Sequence, residues 1–379
     1  MPGLTLGILG GGQLGRMMCI EARRMGITTI CLDPSPNPPA QGVADLCIKG
    51  DLYDPVKIQE LAEKAQVLTF EIEHVNTDYL QTLETRGFTI YPSPKSLQLI
   101  QDKFVQKTLF AQANLPVPPF ARTYQELNLP FPLVQKTRTG GYDGRGVTIL
   151  TDETQVATKG LKGETFFEEL VDFDLEIAVL LARSPSGETA VWPVVEMVFD
   201  PATQICTKVC APARIPADIE QEAIRVSLGA VQALDGVGVF AVELFVSRIN
   251  NNSSPRVLIN EVAPRPHNSG HWTIEGSLTS QFAQHLRAVC GLPLGSTDLT
   301  MPSVMINLLG EPGAQGKPTI QGYEQALAIP GLSFHWYEKS MVSTQRKMGH
   351  VTITRPNLED ALKLADQAQQ LLTITGEPL

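Results

Sequence analysis

Val239-Phe240-Ala241-Val242-Glu243-Leu244-Phe245-Val246, a polar gap, and then Val257-Leu258-Ile259-Asn260-Glu261 decide how this chain folds. Both runs are of strand length and rich in β-branched and aromatic residues. The loop between them is centred on Asn252, and Glu243 and Glu261 are equidistant from it. In a symmetric hairpin they are cross-strand neighbours on one face. Two carboxylates opposite one another in an apolar sheet repel. A divalent cation removes that cost, and Mg²⁺ commonly takes one or two carboxylates plus nucleotide phosphates. The spacing therefore predicts a nucleotide site with Glu243 and Glu261 as metal ligands. A pair sharing one proton, or bonded to arginines, is the alternative. Asn260 alternates to the other face of an ideal strand. It reaches the same ligand only where the strand ends or bulges.

Downstream stands Ala263-Pro264-Arg265-Pro266-His267-Asn268-Ser269-Gly270-His271-Trp272. Arg265, His267, Asn268 and Ser269 can donate hydrogen bonds to an anion held beside the metal. Such donors suit an acyl-phosphate and its transition state.

Upstream, Lys136 ends a predicted strand, and Thr139-Gly140-Gly141-Tyr142-Asp143-Gly144-Arg145-Gly146 follows, with Val147 opening the next strand. A glycine loop between two strands reads as a flap over phosphates. It is not a Walker loop, because no Gly-Lys-Ser/Thr opens a helix. Glu168-Glu169-Leu170-Val171 ends another strand, and Glu176 follows. An adenine needs donors and acceptors on an extended edge, and its ribose needs an acid; this segment supplies both.

The chain opens with apolar Leu4–Leu9, then Gly10-Gly11-Gly12-Gln13-Leu14-Gly15, a helical pattern and a second apolar run ending at Asp33. That is one βαβ unit with a G-x-G-x-x-G turn. Alternation of strands and helices to about residue 91 predicts an open parallel sheet. The glycine turn fits any phosphate-bearing ligand, so a phosphorylated substrate is expected there before a dinucleotide. Glu73, just beyond the apolar run Val67–Phe70, lies at the carboxyl edge of that sheet, where ligands bind. A helix is predicted from Ser93-Pro94 to about Ala113. The prolines of 115–120 end it and mark a boundary.

The chain has 379 residues, enough for more than one core, and a formal net charge of −10. An acidic surface argues against a general role on nucleic acid or an anionic membrane. No run is long and apolar enough to span a bilayer and no leader pattern opens the chain, so a soluble cytoplasmic protein is expected. The six cysteines include no CxxC and are expected as reduced thiols. Cys206 and Cys210 are expected on one strand face.

The Gly-Gly-Gly-Gln-Leu-Gly-Arg start, the Arg-Thr-Gly-Gly-Tyr-Asp-Gly-Arg-Gly flap and Ile259-Asn260-Glu261 through Thr273 together resemble the N5-carboxyaminoimidazole ribonucleotide synthetase family of the ATP-grasp superfamily. Pro302-Ser303-Val304-Met305-Ile306-Asn307-Leu308 and His335-Trp336-Tyr337-Glu338-Lys339 extend the likeness. The resemblance implies an α/β and α+β architecture in three parts. These are a Rossmann-like substrate-binding domain (1–100), an ATP-grasp domain (101–300) and a C-terminal domain (301–379). The ATP-grasp domain would divide into a flap part over about 116–185 and a carboxylate-bearing part over about 186–300.

ATP would meet Lys103, Lys136, Gly141, Tyr142, Asp143, Gly144, Arg145, Gly146, Val147, Glu168, Glu169, Leu170, Val171, Glu176, Asn260 and Glu261. The substrate 5-aminoimidazole ribonucleotide would meet Gln13, Leu14, Glu73, Tyr142, Asp143, Arg145, His267, Asn268 and Ser269. Its phosphate would meet Lys339, Arg346 and Lys347. Arg265, Arg145 and Asp143 would be catalytic, bicarbonate would supply carbon, and the assembly would be a homodimer. The chain departs from the family pattern at Lys103, where an arginine is expected; lysine keeps the charge and loses the bidentate fork. Another ATP-grasp ligase, such as formate-dependent glycinamide ribonucleotide transformylase, is the nearest rival reading. A nicotinamide oxidoreductase and a nucleotide sensor without turnover are further off.

Overall fold

The computed structural model describes residues 3–141, 146–248 and 256–377. The flap residues Tyr142, Asp143, Gly144 and Arg145 and the linker 250–255 lie outside them. The first hundred residues form a five-stranded parallel sheet. Its order is Leu46–Lys49, Thr28–Asp33, Thr5–Leu9, Val67–Phe70, Thr89–Ile90. Alternation along Thr5–Leu9 sends Leu6 and Ile8 to one face and Leu9 to the other. The first face also packs against Phe282, Leu286 and Tyr337 from later in the chain, which fixes this sheet against the rest of the molecule. The short strand Leu46–Lys49 was not predicted, since its four residues carry little periodic signal.

The helix expected from Pro94 to Ala113 is two helices, Pro94–Gln101 and Lys103–Gln112. Asp102 breaks it: extended at φ −105°, ψ 104°, it accepts hydrogen bonds from the Phe104 and Val105 amides as an N-cap. Arg138 clamps the same carboxylate. The break makes Lys103 the first residue of the second helix and turns it toward the predicted metal pair.

A four-stranded sheet follows, in the order Phe120–Ala121, Thr165–Glu169, Leu133–Thr137, Val147–Leu150. The strand Phe173–Arg183, which a flap boundary near 185 includes, pairs instead within a nine-stranded sheet. That sheet runs Arg256–Ala263, Gly238–Ser247, Phe173–Arg183, Val195–Phe199, Cys206–Ala211, Ser303–Leu309, Lys347–Thr354, Leu332–Trp336, with Thr189–Val191 beside Phe173–Arg183. Strands from the ATP-grasp and C-terminal parts thus share one continuous sheet. Thr189–Val191 and Val195–Phe199 are separate strands, parted at Pro193, which has no N–H for the ladder. Cys206 and Cys210 do not share a face: a register shift beside Cys206 sends them into different cores. All six cysteines are free thiols.

Candidate active site

Glu243 and Glu261 are register partners in the antiparallel pair of Gly238–Ser247 with Arg256–Ala263. The ladder shifts between Glu243 and Leu244, whose partner is Ile259, so Asn260 is an extra residue in a β-bulge. The bulge brings Asn260 to the ligand side, where its Oδ1 accepts from Lys136 Nζ at 3.0 Å. Ala178 pairs with Glu243 and Glu176 lies two residues before it, so Glu176 joins the two glutamates on one sheet face.

Burial first, then the Glu261 and Glu176 carboxylates, push the Glu243 carboxyl up to about 8. Burial also works to raise Glu261, but the hydrogen-bonded Lys103 ammonium, Lys136 and His267 outweigh it and hold the group low. Glu176 is raised to about 7, mainly by burial. Three acids on one face with too few counter-ions fit a hard divalent cation. Among the described residues no three His, Cys, Asp or Glu side chains form a metal cage of their own. A cation here would need oxygens from a nucleotide as well. The alternative of arginine partners for the pair is not realised, because Arg265 Nη2 goes to Glu73 at 2.7 Å.

Lys136 also pairs with Glu168, on the neighbouring strand Thr165–Glu169 of the same sheet. The other oxygen of Glu168 is 2.9 Å from Lys107 Nζ, and both side chains are almost fully buried. Burial dominates the Lys107 ammonium and pulls it down to about 8. The sequence reading missed Lys107, since a lysine on an amphipathic helix normally faces water. Glu169 ends its strand, and Leu170 and Val171 lie in the link to Phe173–Arg183. Gly141 and Gly146 flank the undescribed flap tip. Gly146, at φ 75°, returns its carbonyl to the Thr137 amide at 2.8 Å and leaves no room for a side chain beside Thr137. Val147 is exposed.

His267 Nδ1 accepts from the Ser269 amide at 3.3 Å, so the ring proton sits on Nε2, 3.5 Å from Glu243 Oε1. Burial, then Arg265 and Lys347, push this imidazole down to about 4, and it is neutral. Gln281, wholly buried, accepts from the His267 amide and donates to its carbonyl, each at 2.8 Å. Asn268 exchanges two 2.8 Å amide bonds with Asn307. Gln281 gave no sequence signal. Asn307, a lone polar residue in an apolar strand, did. Lys347 lies near enough to act on both Glu243 and His267, and Lys339 donates to the Lys347 carbonyl at 2.7 Å. Arg346 is exposed and bonds the Met341 carbonyl.

The first glycine loop departs from its reading. The Gly12 and Gly15 amides, the donors expected to meet a phosphate, bond the Glu71 carboxylate at 2.8 and 2.9 Å. The Gly11 amide bonds Asp33 at 2.8 Å. The chain's own acids fill the anion-binding turn, so neither a substrate phosphate nor a dinucleotide pyrophosphate finds it open. Leu14 packs in the core, so only its backbone faces outward from the turn. Gln13 begins the helix Gln13–Arg24 beside it.

Three stretches match described families. A ribonucleotide synthetase preATP-grasp domain matches residues 4–101, an ATP-grasp domain 108–282, and a phosphoribosylaminoimidazole carboxylase C-terminal domain 303–364. The fold superposes on N5-carboxyaminoimidazole ribonucleotide synthetase from Thermotoga maritima with TM-score 0.91 and 44% identity, covering 99% of this chain and 100% of that one. An Aspergillus clavatus N5-carboxyaminoimidazole synthase, solved with ADP and 5-aminoimidazole ribonucleotide, gives TM-score 0.86 at 34% identity, covering 97% and 99%. The N5-carboxyaminoimidazole ribonucleotide synthase of Synechococcus elongatus is 37% identical over 384 residues, 98% of this chain and 94% of that one. The chain spans about two thirds of the length of the longer phosphoribosylaminoimidazole carboxylases it also matches. With Lys136 and Lys347 both acting on the carboxylate pair, the chain belongs to the N5-carboxyaminoimidazole ribonucleotide synthetase family, ATP-grasp ligases of purine biosynthesis.

Proposed function

We propose that the chain uses ATP and bicarbonate to carboxylate the exocyclic amine of 5-aminoimidazole ribonucleotide, releasing ADP and phosphate. The observation that carries this reading is the facing pair Glu243 and Glu261 with Lys103, Lys136 and His267 around it. Mg²⁺ held by the two glutamates would neutralise the charge of the ATP phosphates. Lys136 and Lys103 add cations beside it, and Glu168 to Val171 with Glu176 receive adenine and ribose. Gly141 to Val147 cover the phosphates; within that flap Tyr142, Asp143 and Arg145 are assigned to ATP and the ribonucleotide.

A bicarbonate oxygen attacks the γ-phosphorus, the bond to ADP breaks and carboxyphosphate forms. The substrate amine then attacks its carbonyl carbon, or CO₂ released from it. Phosphate leaves and the nitrogen loses a proton. Such an intermediate needs shielding from water in a closed site. Arg265 would stabilise the developing charge, a role supported by its Nε–H, which is buried and has no partner among the described residues. Glu73, Gln13, the Leu14 backbone and the His267–Ser269 turn hold the sugar and base. Lys339, Arg346 and Lys347 hold the phosphate. The enzyme is proposed to work as a cytoplasmic homodimer, on the family's pattern alone.

The test is ADP release by the purified protein with ATP, Mg²⁺, bicarbonate and 5-aminoimidazole ribonucleotide, each omitted in turn. Release that depends on the ribonucleotide, with carboxylated product, supports the reading. Release with glycinamide ribonucleotide and formate instead would keep the fold and move the activity.

A further inference from the structure

Among the described residues six non-glycine residues take a positive φ, and two of them stand directly before the basic residues assigned to the substrate phosphate. Glu338, at φ 57°, precedes Lys339, and Gln345, at φ 64°, precedes Arg346 and Lys347. Asn and Asp tolerate this region; Glu and Gln rarely enter it. Strain of this kind persists where surrounding contacts over-determine it, and it gathers at functional sites.

The contacts at Glu338 can be named. Arg16 Nη1 lies 2.9 Å from Glu338 Oε2 and also donates to the Pro39 carbonyl at 3.1 Å. Arg16 is on the helix that begins at Gln13, one turn along and on the same side. Tyr337, one residue before the strained position, is 1% exposed and packs in the N-terminal core, where its hydroxyl meets His350 Nδ1 at 2.9 Å. On the other side of it, Lys339 reaches back to the Lys347 carbonyl. The Glu338 side chain is 56% exposed, so the ion pair contributes little to global stability. What it does is span two domains, with Gln13 at one end and Lys339 at the other.

We propose that the Arg16–Glu338 pair is a positioning device for the ribonucleotide, holding the Lys339 turn against the Gln13 helix so that the phosphate and the sugar are gripped in register. The inference rests on the assignment of Lys339 to the substrate phosphate. Neither residue touches the reacting atoms.

The experiment measures KM for 5-aminoimidazole ribonucleotide, KM for ATP and kcat in five proteins besides the wild type. Glu338→Asn accepts the left-handed backbone but is too short for the pair. Glu338→Gln keeps the length and loses the charge, and Arg16→Gln removes the other partner. Arg16→Glu with Glu338→Lys restores the pair reversed, and Lys339→Ala tests the phosphate site. The expected result is a rise of about tenfold in the ribonucleotide KM for each of the first three, with the ATP KM and kcat within about twofold. The reversed pair should recover most of the loss. If Lys339→Ala raises the ribonucleotide KM while Glu338→Asn and Arg16→Gln do not, the positioning role is overturned and the phosphate site stands. If Lys339→Ala leaves that KM unchanged, the phosphate assignment fails and this inference with it. If the variants move both KM values and kcat together, the pair is structural and the proposal is overturned.

Discussion

Glu243 faces Glu261 across its strand pair because Asn260 is an extra residue in the ladder. From Ser247 with Arg256 to Leu244 with Ile259 the pairing is regular, and continued unchanged it would set Glu243 against Asn260. The bulge resets the count and frees the Asn260 amide for Lys136. Asn260→Ala should therefore leave the carboxylates opposed but release Lys136 from its 3.0 Å partner. A hydrogen bond to a charged group contributes about 1.5–3 kcal/mol. The ATP KM should rise about tenfold, and urea unfolding should shift by no more than that bond's contribution. An unchanged ATP KM would show that the bulge does not orient Lys136.

Glu168 lies between Lys107 and Lys136, nearly sealed from water. Removing its charge leaves two buried ammonium groups together, and an unpaired buried charge costs about 3–5 kcal/mol. Glu168→Gln should lower the urea midpoint far more than Lys107→Met, which leaves Glu168 with Lys136. Equal losses from the two variants would contradict this account of the triad.

His285 makes the fold sensitive to acid. Its Nδ1 accepts the Val239 amide at 3.0 Å, so Nε2 carries the proton and donates to Thr69 Oγ1 at 2.7 Å. Burial pushes this imidazole down to about 3. The unfolded chain binds a proton there below about pH 6.5, and the folded chain does not until about pH 3. Stability from this group is thus full above pH 6.5 and falls with pH through that window, by about 1.4 kcal/mol per unit. Urea titrations at several pH values should show His285→Gln with a shallower loss between pH 6 and 4 than the wild type. Identical slopes would exclude the mechanism.

Glu71 caps the first glycine turn with both carboxylate oxygens. Glu71→Gln turns an amide N–H toward one of the two glycine amides and should cost about 1–2 kcal/mol, seen as a lower thermal midpoint. Neither protein should bind NADH. Tight NADH binding by the wild type would mean that the turn opens for a dinucleotide.

The turn is also where sequence reading failed, and the reason is range. G-x-G-x-x-G identifies a tight turn of free amides, but nothing local tells that a glutamate 56 residues beyond Gly15 will fill it. The break at Asp102 was equally hidden, because its cap is stabilised by Arg138, just past the strand Leu133–Thr137. The parallel sheet and the Glu243–Glu261 pair were legible because each rests on short-range apolar periodicity. The pairing was foreseen from a symmetric hairpin, yet it holds through a bulge. Asn260 in the binding face, Gln281 behind His267 and Lys107 beneath Glu168 depend on tertiary contacts that no spacing encodes. The residues of the flap tip were nominated by their motif alone.

The carboxylate pair is tested by ribonucleotide-dependent ADP release by Glu261→Gln and Glu243→Gln beside the wild type, with ATP binding measured separately. Both variants should still bind adenine nucleotide and lose about 100-fold or more in turnover, as expected where a metal-held charge is lost at the phosphate. Turnover within a few-fold of wild type in either variant would contradict this, because the reaction would then be proceeding without the carboxylate pair on which the site is built.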